Sequence, residues 1–328
     1  MLEEKVVHTI KKYQMIKPKD IVLAAVSGGP DSMAMLVILK ELSKKMHFEV
    51  QVAHVNHGLR ENAKKDQEYL SSYCKREEIH FHTKEFDIKK IAHEQKMGTE
   101  ETGRMVRYQF FEEVKNQIQA NKIAIAHNAN DNCETVLMNI LRGSGTIGLK
   151  GIEPIREQKY IRPLIECTRD EIEQFCQERN LQPCIDETNL QNIYTRNKIR
   201  NQLIPLLKKE YNPNIIESIN RLSAIATEET NYIQKEAIQT YQKVLIEERE
   251  KEIQFDLKKF NQFDTVIKKR VLLYTVNRLK GSSKGIEKKH LEDILKLCQN
   301  NIGNKFLIPQ KNLKILVKNK KIFLQLLS

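Results

Sequence analysis

A short glycine-containing loop follows the first strongly apolar run of the chain. Its glycines let backbone amides approach a phosphate closely, the N-terminus of the next helix adds partial positive charge, and the serine hydroxyls can donate hydrogen bonds. The loop does not match the Walker pattern, in which a lysine reaches the outer phosphates. Because a carboxylate would repel bare phosphate, we expect Asp31 to reach a nucleotide through Mg²⁺. The alternative is a Gly-Pro turn capped by Asp31. The loop residues are Ser27, Gly28, Gly29, Pro30, Asp31 and Ser32.

Two acids, Asp131 and Glu134, stand three residues apart at the start of a predicted helix. Their carboxylates therefore share one helix face, where they could hold a metal ion or an ammonium group. The alternative is that acids at a helix N-terminus interact favourably with the helix dipole in any protein.

A basic cluster, Arg196, Lys198 and Arg200, follows later in the chain. Its spacing suits contacts with RNA phosphates, and arginine can also stack on a base. The alternative is that these side chains pair with nearby acids such as Glu187.

The elements that position these residues alternate between strands and helices. Apolar runs predict strands at Ile21–Ser27, Phe48–Val55, His80–Phe86 and Lys122–Ala126, with helices between them. This alternation predicts right-handed crossovers and a three-layer α/β domain with a parallel sheet. The loop, His57 and His127 would then lie at the carboxyl edge of the sheet and share one cleft. His54 and His127 have an alternative role as core residues bonded to the backbone.

The pattern becomes helical from Asn214 onward, with two short β-like runs at Lys305–Ile308 and Lys314–Leu324. We therefore expect an α/β domain over 1–205 and a smaller, mostly helical, basic domain over 206–328. Residues 1–250 hold 37 basic and 37 acidic side chains, whereas 251–328 hold 18 and 6, so the net charge of +12 lies in the second part. That excess indicates a polyanionic partner or a solvated lysine-rich surface, and composition does not choose between them.

Composition excludes several classes of protein. The 328 residues are 40% hydrophobic and 30% charged, as in ordinary globular proteins, with 12 Gly and 8 Pro. This argues against disordered, collagen-like and low-complexity chains. No apolar run reaches the ~20 residues of a membrane span, and the acidic start does not resemble a secretory signal. We expect a cytoplasmic protein without membrane association, and the six scattered cysteines predict neither a disulfide framework nor a zinc ribbon.

The Ser-Gly-Gly-x-Asp-Ser pattern resembles the PP-loop of N-type ATP pyrophosphatases, which split ATP to AMP and pyrophosphate. Further segments, in the same order along the chain, narrow the resemblance to the tRNA(Ile)-lysidine synthetase family. A single segment would be weak, but the ordered set is specific and covers about 27–205. The segments begin at His54, Glu100, Ala126, Arg142, Arg162, Asp186 and Thr195.

The resemblance implies ATP-dependent joining of free L-lysine to C2 of the wobble cytidine in tRNA(Ile) with a CAU anticodon, with release of AMP and pyrophosphate. It implies ATP and Mg²⁺ as cofactors, and we consider a homodimer. The implied site residues fall into four groups. They are Ser27, Gly28, Gly29, Pro30, Asp31, Ser32, His54 and Arg104 for ATP, with Asp31 also as metal ligand; Asp31, Asp131 and Glu134 for catalysis; Asp131 and Glu134 for lysine; and Arg196, Lys198 and Arg200 for tRNA.

The chain departs from the family pattern beside the acidic pair. Asn130 stands where the family usually has another acid, Asn132 where it has Gln, and Gly103 where Ala is common. Loss of an acid would weaken any cation site that it served. The rival functions are a tRNA thiolase, an amidating synthetase and a catalytically inactive RNA-binding protein. Thiolases of the cytidine type carry C-x-x-C pairs, which this sequence lacks, and amidating enzymes lack the His54–Arg60 segment.

Overall fold

The computed structural model describes residues 1–56, 63–184, 195–299 and 305–327. The chain forms two compact units, Met1–Ala224 and Ile225–Ser328. The first unit thus extends past residue 205, where the sequence suggested a boundary. Each unit has its own hydrophobic core.

The first unit contains a six-stranded sheet in the order β3-β2-β1-β4-β6-β5. All neighbouring strands are parallel except β5, which runs antiparallel to β6. This confirms the predicted parallel-sheet α/β fold. The strands are β1 Ile21–Ala25, β2 Glu49–Asn56, β3 Phe81–Glu85, β4 Lys122–Ile125, β5 Ile155–Arg156 and β6 Tyr160–Ile161.

Helices connect these strands and continue beyond them. A π-helical turn, Ile199–Leu203, joins α9 to α10. The helices are α1 Leu2–Lys12, α2 Pro30–Met46, α3 Ala63–Arg76, α4 Ile88–Gln95, α5 Thr99–Gln117, α6 Ala129–Leu141, α7 Thr146–Leu149, α8 Arg169–Glu178, α9 Thr195–Lys198, α10 Ile204–Glu210 and α11 Ile215–Val244.

The central strand β1 is buried on both faces, which explains its unbroken apolar sequence. Val22 and Ala24 point into the core that contains α2, whereas Leu23 points into the core that contains Phe110 and Phe111 of α5. Successive side chains of a strand alternate between faces, so one short run contributes to both cores. The sheet is therefore held between helical layers, and its carboxyl edge is left open for a site.

The first turns of α11 belong to the first unit because buried polar groups attach them to α6. Asn132 of α6 donates to Asn220 Oδ1 at 2.8 Å and to Ser223 Oγ at 3.2 Å. Its Oδ1 also accepts a hydrogen bond from the backbone amide of Ile152 at 2.6 Å. Because these bonds join residues far apart in the sequence, the composition near residue 205 does not reveal that α11 begins within the first unit.

The second unit combines helices with a five-stranded antiparallel sheet in the order β7-β8-β11-β10-β9. The predicted single run over Lys314–Leu324 is a hairpin, whose turn places Asn319 and Lys320 at φ of 51° and 60°. The β7–β8 hairpin was not predicted. The elements are β7 Leu245–Arg249, β8 Glu252–Asp256, α12 Leu257–Asn261, α13 Thr265–Lys280, α14 Lys288–Gln299, β9 Lys305–Gln310, β10 Leu313–Lys318 and β11 Lys321–Leu326.

The six cysteines are free thiols, and five of them are buried; Cys184 is partly exposed. Among the described helices, none has the length and apolar character to cross a bilayer.

Candidate active site

The loop between β1 and α2 is organised by the hydroxyl of Ser32. Its Oγ accepts hydrogen bonds from the amides of Ser27 and Gly28, both at 3.2 Å, and donates to the carbonyl of Gly29 at 2.9 Å. Gly28 has φ of +94°, a conformation that glycine adopts without strain. Pro30 occupies the first turn of α2, where a missing amide hydrogen costs no helical bond.

A cavity of about 910 Å³ opens above this loop. It is bounded by the carboxyl ends of β1, β2 and β4, where ligands of parallel α/β sheets bind. Every residue of the loop except Gly28 lines it. The sequence-predicted residues in its wall are Ser27, Gly29, Pro30, Asp31, Ser32, His54, His127, Asp131 and Arg200. We call it the loop cavity.

Asp31 lies in this wall in a site that disfavours its charge. Asn128 Nδ2 donates to its Oδ1 at 2.9 Å. Burial, and then the nearby charge of Asp131, raise the pKa of the Asp31 carboxyl above its ordinary value, while Arg169 opposes the shift. Two carboxylates that repel each other beside a phosphate-sized loop form an oxygen donor set of the kind that Mg²⁺ prefers. The described residues contain no group of three His, Cys, Asp or Glu side chains that could hold a metal ion by themselves.

His54 combines the two roles that the sequence left open. Its Nδ1 donates to the carbonyl oxygen of Val26 at 2.9 Å, and its ring stacks on Phe81 with centroids 6.2 Å apart. Burial lowers the pKa of the imidazole below its ordinary value. His54 is therefore a neutral, backbone-bonded side chain that also forms part of the cavity wall.

Asp131 and Glu134 lie together, as predicted from their spacing, but both are engaged by arginines. Arg196 Nε lies 2.7 Å from Glu134 Oε2, and Arg200 Nε lies 2.6 Å from Glu134 Oε1. Asp131 Oδ1 accepts from the Nη2 atoms of Arg196 and Arg200 at 2.9 and 3.2 Å. We call these four side chains the ion-pair cluster.

The predicted acidic and basic residues differ in exposure and in the cavity that each one lines. The side chain of Glu134 is 1% exposed and belongs to neither cavity wall among the described residues. Arg200 lines the loop cavity, whereas Arg196 lines a second cavity. The sequence left open the alternative that these arginines pair with acids. Arg196 and Arg200 do so, and their partners are Asp131 and Glu134. Lys198 is exposed.

The second cavity measures about 720 Å³, and the charged residues of its wall are mostly basic. Arg104, which the resemblance assigns to ATP, lies in this wall and not in the wall of the loop cavity. Its guanidinium stacks on Tyr108 at 5.3 Å from the ring centroid. The charged residues of the wall are Arg104, Arg142, Lys150, Arg156, Arg162 and Arg196, with Glu100 and Glu153.

Sequence reasoning missed two arginines of the loop cavity, Arg107 and Arg169. Arg107 follows Arg104 by three residues on α5, a spacing that could have placed both near the same edge. Arg169 begins α8, and its amide donates to Asn130 Oδ1 at 3.0 Å. Asn130, where the family usually has an acid, thus accepts a hydrogen bond from an amide of the first turn of α8, next to the N-cap residue Thr168. Residues 57–60 and 186–189 of the family segments, including His57 and Glu187, lie outside the described residues.

Comparison with known proteins agrees with this geometry. A family model described as a PP-loop domain matches residues 2–207. A tRNA(Ile)-lysidine synthase of Clostridium acetobutylicum is 46% identical over 305 residues, which are 93% of this chain and 66% of that protein. One of Clostridioides difficile is 40% identical over 325 residues, 99% of this chain and 70% of that protein. The structure of the U34-tRNA thiolase NcsA from Methanococcus maripaludis has a TM-score of 0.56 at 20% identity, covers 68% of this chain and 78% of its own, and shares the fold.

The parallel sheet and its glycine loop therefore define a PP-loop domain, a class that implies use of ATP. Within that class, the chain belongs to the tRNA(Ile)-lysidine synthase family. It spans about two thirds of the length of these curated relatives.

Proposed function

We propose that this protein is a cytoplasmic ligase that joins L-lysine to C2 of the wobble cytidine of tRNA(Ile) with a CAU anticodon. It consumes ATP and releases AMP and pyrophosphate. The observation that carries the proposal is the pair of adjoining cavities, the loop cavity and a second cavity whose charged residues are mostly basic, which share the residue His127. A reaction that first adenylates a base and then replaces AMP by an amine needs room for a nucleotide and for an acceptor side by side.

The loop cavity is the proposed ATP site. The amides after Ser27 and the N-terminus of α2 would bind phosphate, and Arg107 and Arg169 add positive charge to the same wall. Asp31 would hold Mg²⁺, which supplies charge neutralisation at the phosphates. The raised pKa of Asp31 fits such a role, since a divalent cation would relieve the repulsion between Asp31 and Asp131.

The amine of lysine must lose a proton before it attacks, because its ordinary pKa is about 10.4. Asp131 is the proposed acceptor, since it lies in the wall of the loop cavity. Glu134, which is buried, would position Arg196 and Arg200 through the hydrogen bonds that it accepts from them. Lysine can reach Asp131 Oδ1 only in competition with these two guanidinium groups.

The second unit is the proposed tRNA-binding part. Alternate residues of β10 and β11 put lysines and apolar side chains on the same face of the sheet, and Phe306 of β9 is 53% exposed. Lys314 lies 4.8 Å from the centroid of the Phe306 ring. Aromatic rings that stack on bases, next to cations that meet phosphates, are the usual features of RNA-binding sheets. The outward residues are Phe306, Lys314, Leu316, Lys318, Lys321 and Phe323.

The decisive experiment is mass spectrometry of nucleosides from tRNA incubated with the purified protein, ATP, Mg²⁺ and isotope-labelled lysine. We expect labelled lysidine at the wobble position, with one pyrophosphate released for each modified tRNA. Sulfur in place of lysine would indicate a thiolase. Binding of tRNA without any modification would indicate an inactive RNA-binding protein. Either result would overturn the proposal.

A further inference from the structure

His127 occupies a position that no other described residue shares, since it lines both the loop cavity and the second cavity. It lies two residues past the end of β4, and Arg162 directly follows the end of β6. Because β4 and β6 are parallel neighbours, these two side chains meet at the carboxyl edge of the sheet. Arg162 Nε donates a hydrogen bond to His127 Nδ1 at 3.0 Å.

This hydrogen bond fixes the chemical form of the imidazole. An arginine has no lone pair to offer, so Nδ1 of His127 must be the unprotonated, accepting nitrogen. The ring proton of the neutral imidazole is then on Nε2. Arg162 is itself held in place, because it is 4% exposed and its Nη1 donates to the carbonyl oxygen of Glu153.

We propose that His127 is a fixed, neutral hydrogen-bond donor, which presents Nε2–H to an oxygen of the α-phosphoryl group where the two cavities meet, and that Arg162 positions it. This assignment rests on the proposed function, which brings the α-phosphate of ATP and the acceptor base to that point. A donor aimed at an oxygen that carries charge in the transition state stabilises that state without moving a proton.

The surroundings of His127 agree with this role. Burial, followed by the charges of the neighbouring arginines, lowers the pKa of its imidazole to about 3. The ring therefore stays neutral at physiological pH and is a weak general base. The charged groups that face it are Arg162, Arg196, Arg104 and Arg107. The other charged residues of the two walls are Asp31, Asp66, Asp131, Glu100, Glu153, Glu173, Lys150, Arg142, Arg156, Arg169 and Arg200.

Two substitutions of His127 separate a donor from a base. H127Q keeps an N–H close to the position of Nε2, whereas H127A removes it; neither keeps an imidazole. We expect H127A to lower the rate of tRNA-dependent pyrophosphate release by about 10²- to 10³-fold, the usual loss for one such donor. H127Q should recover at least about a tenth of the wild-type rate, by the same principle of one retained donor. H93A, at an exposed histidine of α4, is the matched control and should retain the wild-type rate.

Nuclear magnetic resonance of protein labelled with ¹⁵N at histidine tests the positioning role of Arg162 without relying on activity. In the wild type we expect the His127 signals of an Nε2–H tautomer that does not titrate between about pH 5 and 8, given its lowered pKa. In R162M, which removes the donor and one neighbouring charge, the His127 resonances should show mixed tautomers or titrate within that range.

Three outcomes would overturn the inference: an Nδ1–H tautomer in the wild type, unchanged His127 signals in folded R162M, or H127Q as inactive as H127A while both bind ATP. Failure of the proposed function looks different. In that case the wild-type protein would form no lysidine in the nucleoside assay, whatever the tautomer of His127.

Discussion

Replacing Glu134 by glutamine tests whether the ion-pair cluster holds the first unit together. The carboxylate is 1% exposed and accepts hydrogen bonds of 2.7, 2.6 and 2.9 Å from Arg196 and Arg200. Removing one partner of a buried ion pair costs about 3–5 kcal/mol. The arginine side chains are 32% and 19% exposed and keep Asp131 as a partner, which argues for the lower end of that range. We therefore expect E134Q to lose about 3 kcal/mol.

Urea denaturation followed by circular dichroism measures this loss. With a slope of about 3 kcal/mol per molar urea, the midpoint should fall by roughly 1 M. E113Q is the matched control, because Glu113 pairs with Lys84 where the side chains are 59% and 47% exposed. An exposed pair of that kind is worth less than about 1 kcal/mol. Equal midpoints for E134Q and the wild type would refute the structural role of the cluster.

Three further substitutions give distinct outcomes. D31N should raise the melting temperature of the ligand-free protein. The pKa of Asp31 is raised in the folded protein, so its ionised form destabilises the fold once the pH exceeds the pKa of this carboxyl in the unfolded chain. The same variant should bind Mg²⁺-ATP more weakly, as measured by calorimetry. N130D should keep the wild-type rate of pyrophosphate release and melt slightly higher, because an acid at the N-terminus of α8 adds about 0.3–1 kcal/mol; a large loss of activity would contradict the capping role. G151A should lower the free energy of unfolding in urea by about 1–3 kcal/mol, since Gly151 has φ of +61° and a Cβ there would lie 2.1 Å from Asn132 Oδ1.

The lysines on the sheet face of the second unit give a fourth test, because charge reversal there should act on RNA alone. The variant K314E/K318E/K321E should weaken tRNA binding strongly and flatten its dependence on salt, while ATP affinity stays unchanged. Filter binding at several salt concentrations measures the first quantity and calorimetry the second. Reversal of Lys44 and Lys45, at the end of α2, is the control for net charge and is compared with the double variant K314E/K318E, which changes the charge equally. Equal losses in both variants would indicate a general effect of charge.

The parallel sheet was predictable because its central strands β1, β2 and β4 are buried on both faces. Ile21–Ala25 and Lys122–Ile125 are short apolar runs that contrast clearly with the helices around them. The second unit gave a weaker signal, because β7 has two apolar residues followed by Glu247, Glu248 and Arg249 and so lacks the alternation that marks a strand. The β10–β11 turn lacks glycine, the residue that usually marks such a hairpin, so its two strands merged into one predicted run.

The loop site was predictable for a related reason, since all six of its residues are consecutive in sequence. The partners of Asp131 and Glu134 were not, because Arg196 and Arg200 are 62–69 residues away and meet them only after the chain folds. The same limit applies to Arg104. Its motif is local in sequence, but the cavity that its side chain lines depends on how α5 packs on the sheet.

The ion-pair cluster also bears on which groups face the substrates. Asp131 and Glu134 carry two negative charges, and Arg196 and Arg200 carry two positive ones, so the cluster is neutral as a whole. Its acids lie mostly beneath the surface, while one arginine reaches each cavity. Acids that anchor arginines orient cations toward phosphate and carboxylate groups, which ATP, tRNA and lysine all carry. Substitution of Glu134 should therefore impair the binding of anionic groups at both cavities, in addition to any effect on the amine.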